Sequence, residues 1–202
     1  MKVTVFGATG GTGTRVVARA QAAGHDVVAV VRTANGRDVV ADVLDPDSIG
    51  PVIAGSDAVV TAIGARGRGP TTVQTDTTAS IVEAMKAHGV RRLVVVSNSG
   101  MVVDEHDDAL SRYVVKPILR RVFKHPWADM ADMERVVRAS GLEWTIVRPP
   151  RLTDGPRTGK YRTAVDTNLR RGTTISRGDL ADLVVGCLDD PATTGHAVAV
   201  GY

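Results

Sequence analysis

The chain has 202 residues, of which 43% are hydrophobic and 23% charged, and its formal net charge at pH 7 is +3. That length suits one domain, residues 1–202, with ample core, and the composition is that of a globular protein. So mild a charge argues against a nucleic-acid partner, no apolar run approaches the ~18 residues of a membrane span, the single Cys187 excludes an intramolecular disulfide, and the histidines have no metal-ligand spacing.

Residues 2–6 are β-branched and apolar and predict a strand. It starts so early that no signal peptide is expected, which makes a cytoplasmic location the expectation. A glycine-rich turn follows, Gly7-Ala-Thr-Gly-Gly-Thr-Gly13, and residues 14–23 read as a helix stopped by Gly24. Strand, turn and helix in that order fit a cradle for the pyrophosphate of a dinucleotide. Gly7 permits the tight turn, Gly10 lets the phosphates approach the backbone, and Gly13 lets helix and strand pack closely. The free N–H groups of the helix start then face the anion. A P-loop is excluded, because no lysine follows the last glycine. The second strand, 26–31, lacks the terminal Asp or Glu that binds a ribose 2′-hydroxyl and runs into Arg32 and Thr33. The planar cation of Arg32 suits a 2′-phosphate, with Arg37 to assist, so NADP(H) is expected in preference to NAD(H).

A short third strand is expected over 39–42, then a helix capped by Asp45 and started by Pro46, weakened at Gly50-Pro51. The fourth strand, 57–63, ends at Gly64, and a long helix covers 71–88. The fifth strand, 91–96, runs into Ser97-Asn98-Ser99-Gly100. Two helices follow, near 109–124 and 127–140, the first kinked or started by Pro117. The sixth strand, 143–147, leads to Arg148-Pro149-Pro150-Arg151, and a loop rich in Gly, Arg and Thr spans 151–174. Ser176 and Asp179 form a capping box for a last helix reaching Leu188, with Cys187 on its apolar face, and 197–200 is a final strand. Alternating strands and helices, with near-continuous valine runs in the strands, predict an α/β fold. It is a Rossmann-type doubly wound parallel sheet of order 3-2-1-4-5-6, with ligands beyond the carboxyl ends of its strands.

The strand ends therefore hold the candidate residues. Asp42, followed by Val43, either accepts from an adenine amino group or caps a turn. Ile63-Gly64 either lets the backbone pass close to a ribose or is an ordinary strand-end turn. Ser97, Asn98 and Ser99 either line the nicotinamide end, polarising a substrate carbonyl or imine, or satisfy local backbone groups. Tyr113 and Lys116 have Tyr-x-x-Lys spacing; Arg148, Arg151 and Lys160-Tyr161 are possible anchors for an acidic substrate. The stretch 113–124 is amphipathic and basic; plain packing on the sheet is its simplest reading, beside a lid, a dimer surface or a membrane-surface helix.

Together these residues resemble the atypical short-chain dehydrogenase/reductases with an NAD(P)H-binding domain, and among them most the biliverdin-IXβ reductase/flavin reductase group. The resemblance rests on the glycine turn, Val30-Val-Arg32, Asp42-Val-Leu44, Pro70-Thr-Thr72 and Ala84-Met-Lys-Ala-His-Gly-Val90. It continues in Ser140-Gly-Leu142, Pro149-Pro150 and Ile175-Ser-Arg-Gly-Asp-Leu180. It implies an NADPH-dependent reductase of flavins or linear tetrapyrroles. The activity expected is direct hydride transfer to a small planar or carbonyl-bearing substrate, with the proton from solvent or a Ser97/Ser99 hydroxyl relay and Arg151 anchoring substrate charge, by a monomer or small homo-oligomer. It further implies that Thr9, Gly11 and Thr12 hold the pyrophosphate, Arg32 the 2′-phosphate, Asp42-Val43 the adenine, and Ile63-Gly64 with Arg66 the ribose and nicotinamide side. Ser97 and Pro149 would then lie beside the nicotinamide, with substrate-side segments near 100–128 and 151–175. The chain departs from the group in placing Asn98 where that group has its active-site serine, Arg151 where it has a histidine after the paired prolines, and a residue near Met130 where it has a further histidine. Those departures, with no Tyr-x-x-x-Lys pair, leave a second reading open: a non-catalytic, redox-sensing NADP(H)-binding regulator. Isomerase or dehydratase chemistry on a sugar nucleotide is disfavoured by the missing tyrosine base.

Overall fold

A computed structural model describes residues 1–32, 39–65, 67–104 and 110–202. The amino-terminal half alternates strand and helix: β1 (Lys2–Phe6), α1 (Gly13–Ala22), β2 (Asp26–Val31), β3 (Val39–Val40), α2 (Pro46–Ile53), β4 (Ala58–Thr61), α3 (Val73–Ala87) and β5 (Arg92–Val96). The second half holds α4 (Lys116–Val122), α5 (Lys124–Ala139), β6 (Glu143–Arg148), β7 (Arg151–Thr153), β8 (Arg162–Val165), β9 (Thr174–Ser176), α6 (Arg177–Asp189) and β10 (His196–Gly201).

The main sheet runs in the order β3-β2-β1-β4-β5-β6-β10-β8. Every pairing is parallel except that of the edge strand β8 with β10. The six-strand order read from the sequence is present from β3 to β6, and β10 and β8 extend it beyond β6. Successive strand residues point to opposite faces, which fills two cores. Phe6, Val59, Leu93 and Ile146 pack on one face against Ile49, Ile53, Ile81, Met85, Met133 and Val137 from α2, α3 and α5. Val3, Val5, Val60, Val94 and Val147 pack on the other against Val16, Ala20, Leu180 and Val184 from α1 and α6. Each of these side chains larger than alanine contributes about 1.5–3 kcal/mol by leaving water.

The helices start where local chemistry dictates. Asp45 Oδ1 accepts from Asp47 N at 3.0 Å, and Pro46 opens α2. Ser176 Oγ accepts from Asp179 N at 3.1 Å and starts α6. The cap of α3 is tertiary: the Asp129 carboxylate, on α5, accepts from Gln74 N at 3.0 Å and Thr75 N at 2.9 Å.

Three expectations are corrected. The third strand is two residues long, not four. The helix foreseen over 109–124 is present from 110 to 122: a π turn, Ser111–Val115, runs directly into α4, which Pro117 starts. This stretch packs against α5 and the 3₁₀ turn at Ser99–Met101, not flat on the sheet, and leaves Tyr113, Val114 and Ile118 exposed. The loop foreseen over 151–174 holds β7 and β8 and meets β9, which pairs with β7 in a second, two-stranded parallel sheet. Among the described residues no helix is long and apolar enough to cross a membrane.

Candidate functional site

The carboxyl ends of β1, β2 and β4 surround a cleft of about 370 Å³, lined by Gly7, Thr9, Gly10, Val30, Val31, Arg32, Val43, Ala62, Ile63, Gly64, Thr71, Val73 and Thr77. The glycine turn is closed by backbone bonds from Gly10 N to Gly7 O and from Thr14 N to Gly10 O, each 2.9 Å. Thr14 Oγ1 donates to Ala8 O and to Gly10 O, each at 3.0 Å. Gly7 has φ +78°, and a Cβ there would stand 2.8 Å from the Ala62 carbonyl. A Cβ on Gly13 would stand 2.0 Å from Gly7 O. Both glycines are therefore fixed by close backbone approach.

Among the described residues nothing accepts a hydrogen bond from the N–H groups of Gly11, Thr12 and Gly13. The first turn of α1 contains no acidic residue. Three donors without acceptors at the positive end of a helix, in a turn of glycine, alanine and threonine, are of the kind that receives phosphate oxygens. The residues present thus fit a pyridine dinucleotide.

Arg32 stands at the lip of this cleft, exposed and without a partner among the described residues. Thr33, Arg37 and Arg66 lie outside the described residues. Val43, Ile63 and Gly64 line the cleft, and space beside Gly64 is open. Asp42 is exposed and Oδ1 accepts from Leu44 N at 3.0 Å, so one carboxylate oxygen performs the turn-capping alternative. Two cations escaped the sequence reading: Arg15 donates to Gly11 O at 2.7 Å, and the Arg177 side chain lies against Gly11, with Nε 3.1 Å from where a Cβ would be. Both pair with the exposed Asp154, at 3.1 and 2.9 Å. Arg15 stands two residues past the last glycine of the motif; Arg177 comes from the far end of the chain and had no local signal.

A larger cavity of about 660 Å³ opens beyond β5 and β6. Its walls are Asn98, Ser99 and Gly100; Val115, Lys116, Leu119, Phe123 and Trp127; Pro150 and Arg151; Asn168, Leu169 and Arg171 to Thr174; and Ala199. Phe123 and Trp127 stack with ring centres 5.7 Å apart and planes inclined by 21°. Arg68 lies 5.2 Å over the Phe123 ring. Arg151 and Arg171 are exposed, and neither side chain has a partner among the described residues. Arg171 has φ +58°, a backbone conformation unusual for a side-chain-bearing residue.

Of the four residues put forward for catalysis, three line the larger cavity and Ser97 does not. Ser97 is buried, lines none of these cavities, and its hydroxyl donates to Glu134 Oε1 at 2.6 Å. Asn98 Oδ1 accepts from Gly100 N at 2.6 Å, capping the turn that begins at Ser99. Ser99 and Arg151 face the larger cavity together with Asn98. Pro149 is buried, and its carbonyl accepts from Ser99 N at 2.9 Å. Arg148 forms a fork on Glu134, with Nε 2.9 Å from Oε1, and does not line this cavity. Tyr161 packs against the α1/α6 core, and burial raises its phenol pKa. Tyr113 is 71% exposed, whereas the Lys116 ammonium is buried and donates to Val102 O at 2.5 Å, so the two do not form a tyrosine–lysine pair. Cys187 is buried, which pushes its thiol pKa up to about 11 and makes it a packing residue.

The fold and the cleft define a dinucleotide-binding protein, and comparison with known proteins gives its family. The family model described as NAD(P)H-binding matches residues 7–191, and the chain belongs to that family. It is 32% identical to the Bacillus subtilis protein YhfK, called an uncharacterized sugar epimerase, over 98% of this chain and 92% of that one. It is 32% identical to the 3-diazoavenalumate denitrifying reductase of a Streptomyces species, over 80% of this chain and 59% of that one. A solved structure from Streptococcus pneumoniae, described as a candidate NADH-flavin reductase, superposes with a TM-score of 0.81 at 26% identity, over 100% of this chain and 99% of that one.

Proposed function

We propose that the protein is an NADPH-dependent reductase that delivers hydride directly to a planar, anionic acceptor of the flavin or linear tetrapyrrole class. The observation that carries this reading is the lining of the 660 Å³ cavity: a stacked aromatic pair, two unpaired arginines, and no Tyr, His, Asp or Glu among the described wall residues. Phe123 and Trp127 offer flat apolar surface to a conjugated ring. Arg151 and Arg171 offer forks to a phosphate or carboxylate arm. The wall's one lysine, Lys116, is buried and donates to Val102 O, which suits an acceptor that takes hydride from the coenzyme and its proton from solvent, and does not suit an epimerase, which must move protons on and off carbon. The names of the Streptomyces and Streptococcus relatives support the same reading.

Bound NADPH would supply two electrons and one proton as hydride, leaving NADP⁺. The chain's own part is positional. Gly11, Thr12 and Gly13 N–H hold the pyrophosphate, Arg32 selects the 2′-phosphate, and the Asn98–Gly100 turn and Pro150 form the wall where donor and acceptor meet. Ser97, tied to Glu134, keeps the end of β5 in place and gives no proton to the acceptor.

The test is anaerobic reduction of FMN by NADPH, followed by loss of flavin absorbance. Turnover is expected, and Arg151→Ala should raise KM for FMN about tenfold, the scale of one charge-assisted contact, with little change in kcat. No turnover with flavins or tetrapyrroles, alongside saturable NADPH binding, would refute the reductase reading. It would favour the second one, a redox-sensing regulator, for which the engaged hydroxyl of Ser97 and amide oxygen of Asn98 already speak.

A further inference from the structure

The nucleotide cleft and the acceptor cavity leave a third concavity unassigned. It is a groove of about 460 Å³ beside α5, floored by Met101, Val102, Ala128 and Ala131 and closed at one side by Trp127. Five cations line it, Arg120, Lys124, Arg135, Arg138 and Arg148, against a single carboxylate, Glu134. That carboxylate is already engaged by the Ser97 hydroxyl and the Arg148 fork, with Arg138 at 3.8 Å. Arg135 pairs with Asp132, on the same helix. Arg120 and Lys124 are exposed and have no partner among the described residues.

The arrangement along α5 is regular. Lys124, Ala128, Ala131, Arg135 and Arg138 follow each other at helical spacings of four, three, four and three, so they share one face. Small residues at the middle of that face leave the room that the groove occupies. Cations at both ends, about 16 Å apart along the helix axis between Lys124 and Arg135 at 1.5 Å per residue, give it two positive poles. Walls of one sign around an apolar floor concentrate anions well above their bulk level.

We propose that this groove is a second ligand site, for a small organic molecule bearing at least two anionic groups, phosphate or carboxylate, on a body that lies over Ala128 and Ala131. It stands apart from the reductase reading, because neither the dinucleotide cleft nor the acceptor cavity includes Arg120, Lys124 or Arg135. It shares Trp127 with the acceptor cavity, and its Glu134 holds the hydroxyl of Ser97 at the end of β5.

Inorganic tripolyphosphate, which carries the charge alone, is the probe. It is titrated calorimetrically into the protein with and without saturating NADP⁺, so that binding at the glycine turn is competed away. One saturable site is expected in the presence of NADP⁺, weakened at least tenfold in Arg120→Glu/Lys124→Glu and unchanged in Arg151→Ala. Both substituted positions of the double variant are exposed, and Lys124→Ala alone, with a several-fold loss, repeats the test should the double variant melt early. Absence of saturation in the wild-type protein, full affinity in the charge-reversed variant, or loss of binding in Arg151→Ala would each overturn the proposal.

Discussion

At the lip of the nucleotide cleft Arg32 is a cation without a partner among the described residues, placed where the second strand releases the chain. Arg32→Asp should weaken NADPH by at least tenfold, since it replaces a charge-assisted contact by repulsion, and leave NADH nearly unchanged. Equal losses in fluorescence titrations with the two coenzymes would contradict a 2′-phosphate role. Arg177, pressed against Gly11, contributes from outside the motif; Arg177→Ala should lower affinity for both coenzymes alike, with the melting temperature kept within a few degrees. A third residue sets a pH dependence: Asp179 is fully buried and accepts from Thr158 N, Gly159 N, Thr158 Oγ1 and the Tyr202 hydroxyl. Burial pushes its carboxyl up, but the donors, Tyr202 first, outweigh burial and hold it at about 2 against an ordinary 3.8. A folded value below the unfolded one means a stabilisation complete above pH ~4 and lost as pH falls through about 2, worth about 2 kcal/mol. Asp179→Asn should therefore unfold in less urea than the wild type at pH 7, and the two curves should converge toward pH 2.

Among the elements, α5 does most to organise the second half of the chain. It caps α3 through Asp129, walls the acceptor cavity through Trp127, and anchors β5 and β6 through Glu134. The Glu134 and Arg148 side chains are only 6% and 13% exposed, so Glu134→Ala leaves a buried cation without its anion, a loss of about 3–5 kcal/mol. Glu134→Ala combined with Arg148→Met should recover much of that loss in urea unfolding; additive losses would show that the two side chains act separately. None of these links was legible in the sequence, because each joins residues far apart in the chain. What local pattern does encode was legible: the strand-turn-helix at Gly7–Gly13, the Asp45-Pro46 start of α2 and the Ser176 cap of α6. The strands β7, β8 and β9 were not, since three or four residues carry too little alternation to distinguish them from loop, and pairing with distant partners makes them strands.

On the scale of the molecule, the sheet order sets where chemistry can occur. Parallel strands send every carboxyl end to one edge, and both the dinucleotide cleft and the acceptor cavity open there. The cofactor half of this edge was legible because a phosphate seat needs glycines at fixed spacing. The acceptor half was not, because its walls come from five separated places that pattern alone does not assemble: 98–100, 115–127, 150–151, 168–174 and Ala199. The whole account rests on the glycine turn as the seat of a phosphorylated dinucleotide. Calorimetric titration of the purified chain with NADP⁺ and with NAD⁺ tests it directly. One site per chain, at least tenfold tighter for NADP⁺, is the expected result; no saturable heat with either coenzyme would contradict the account at its root.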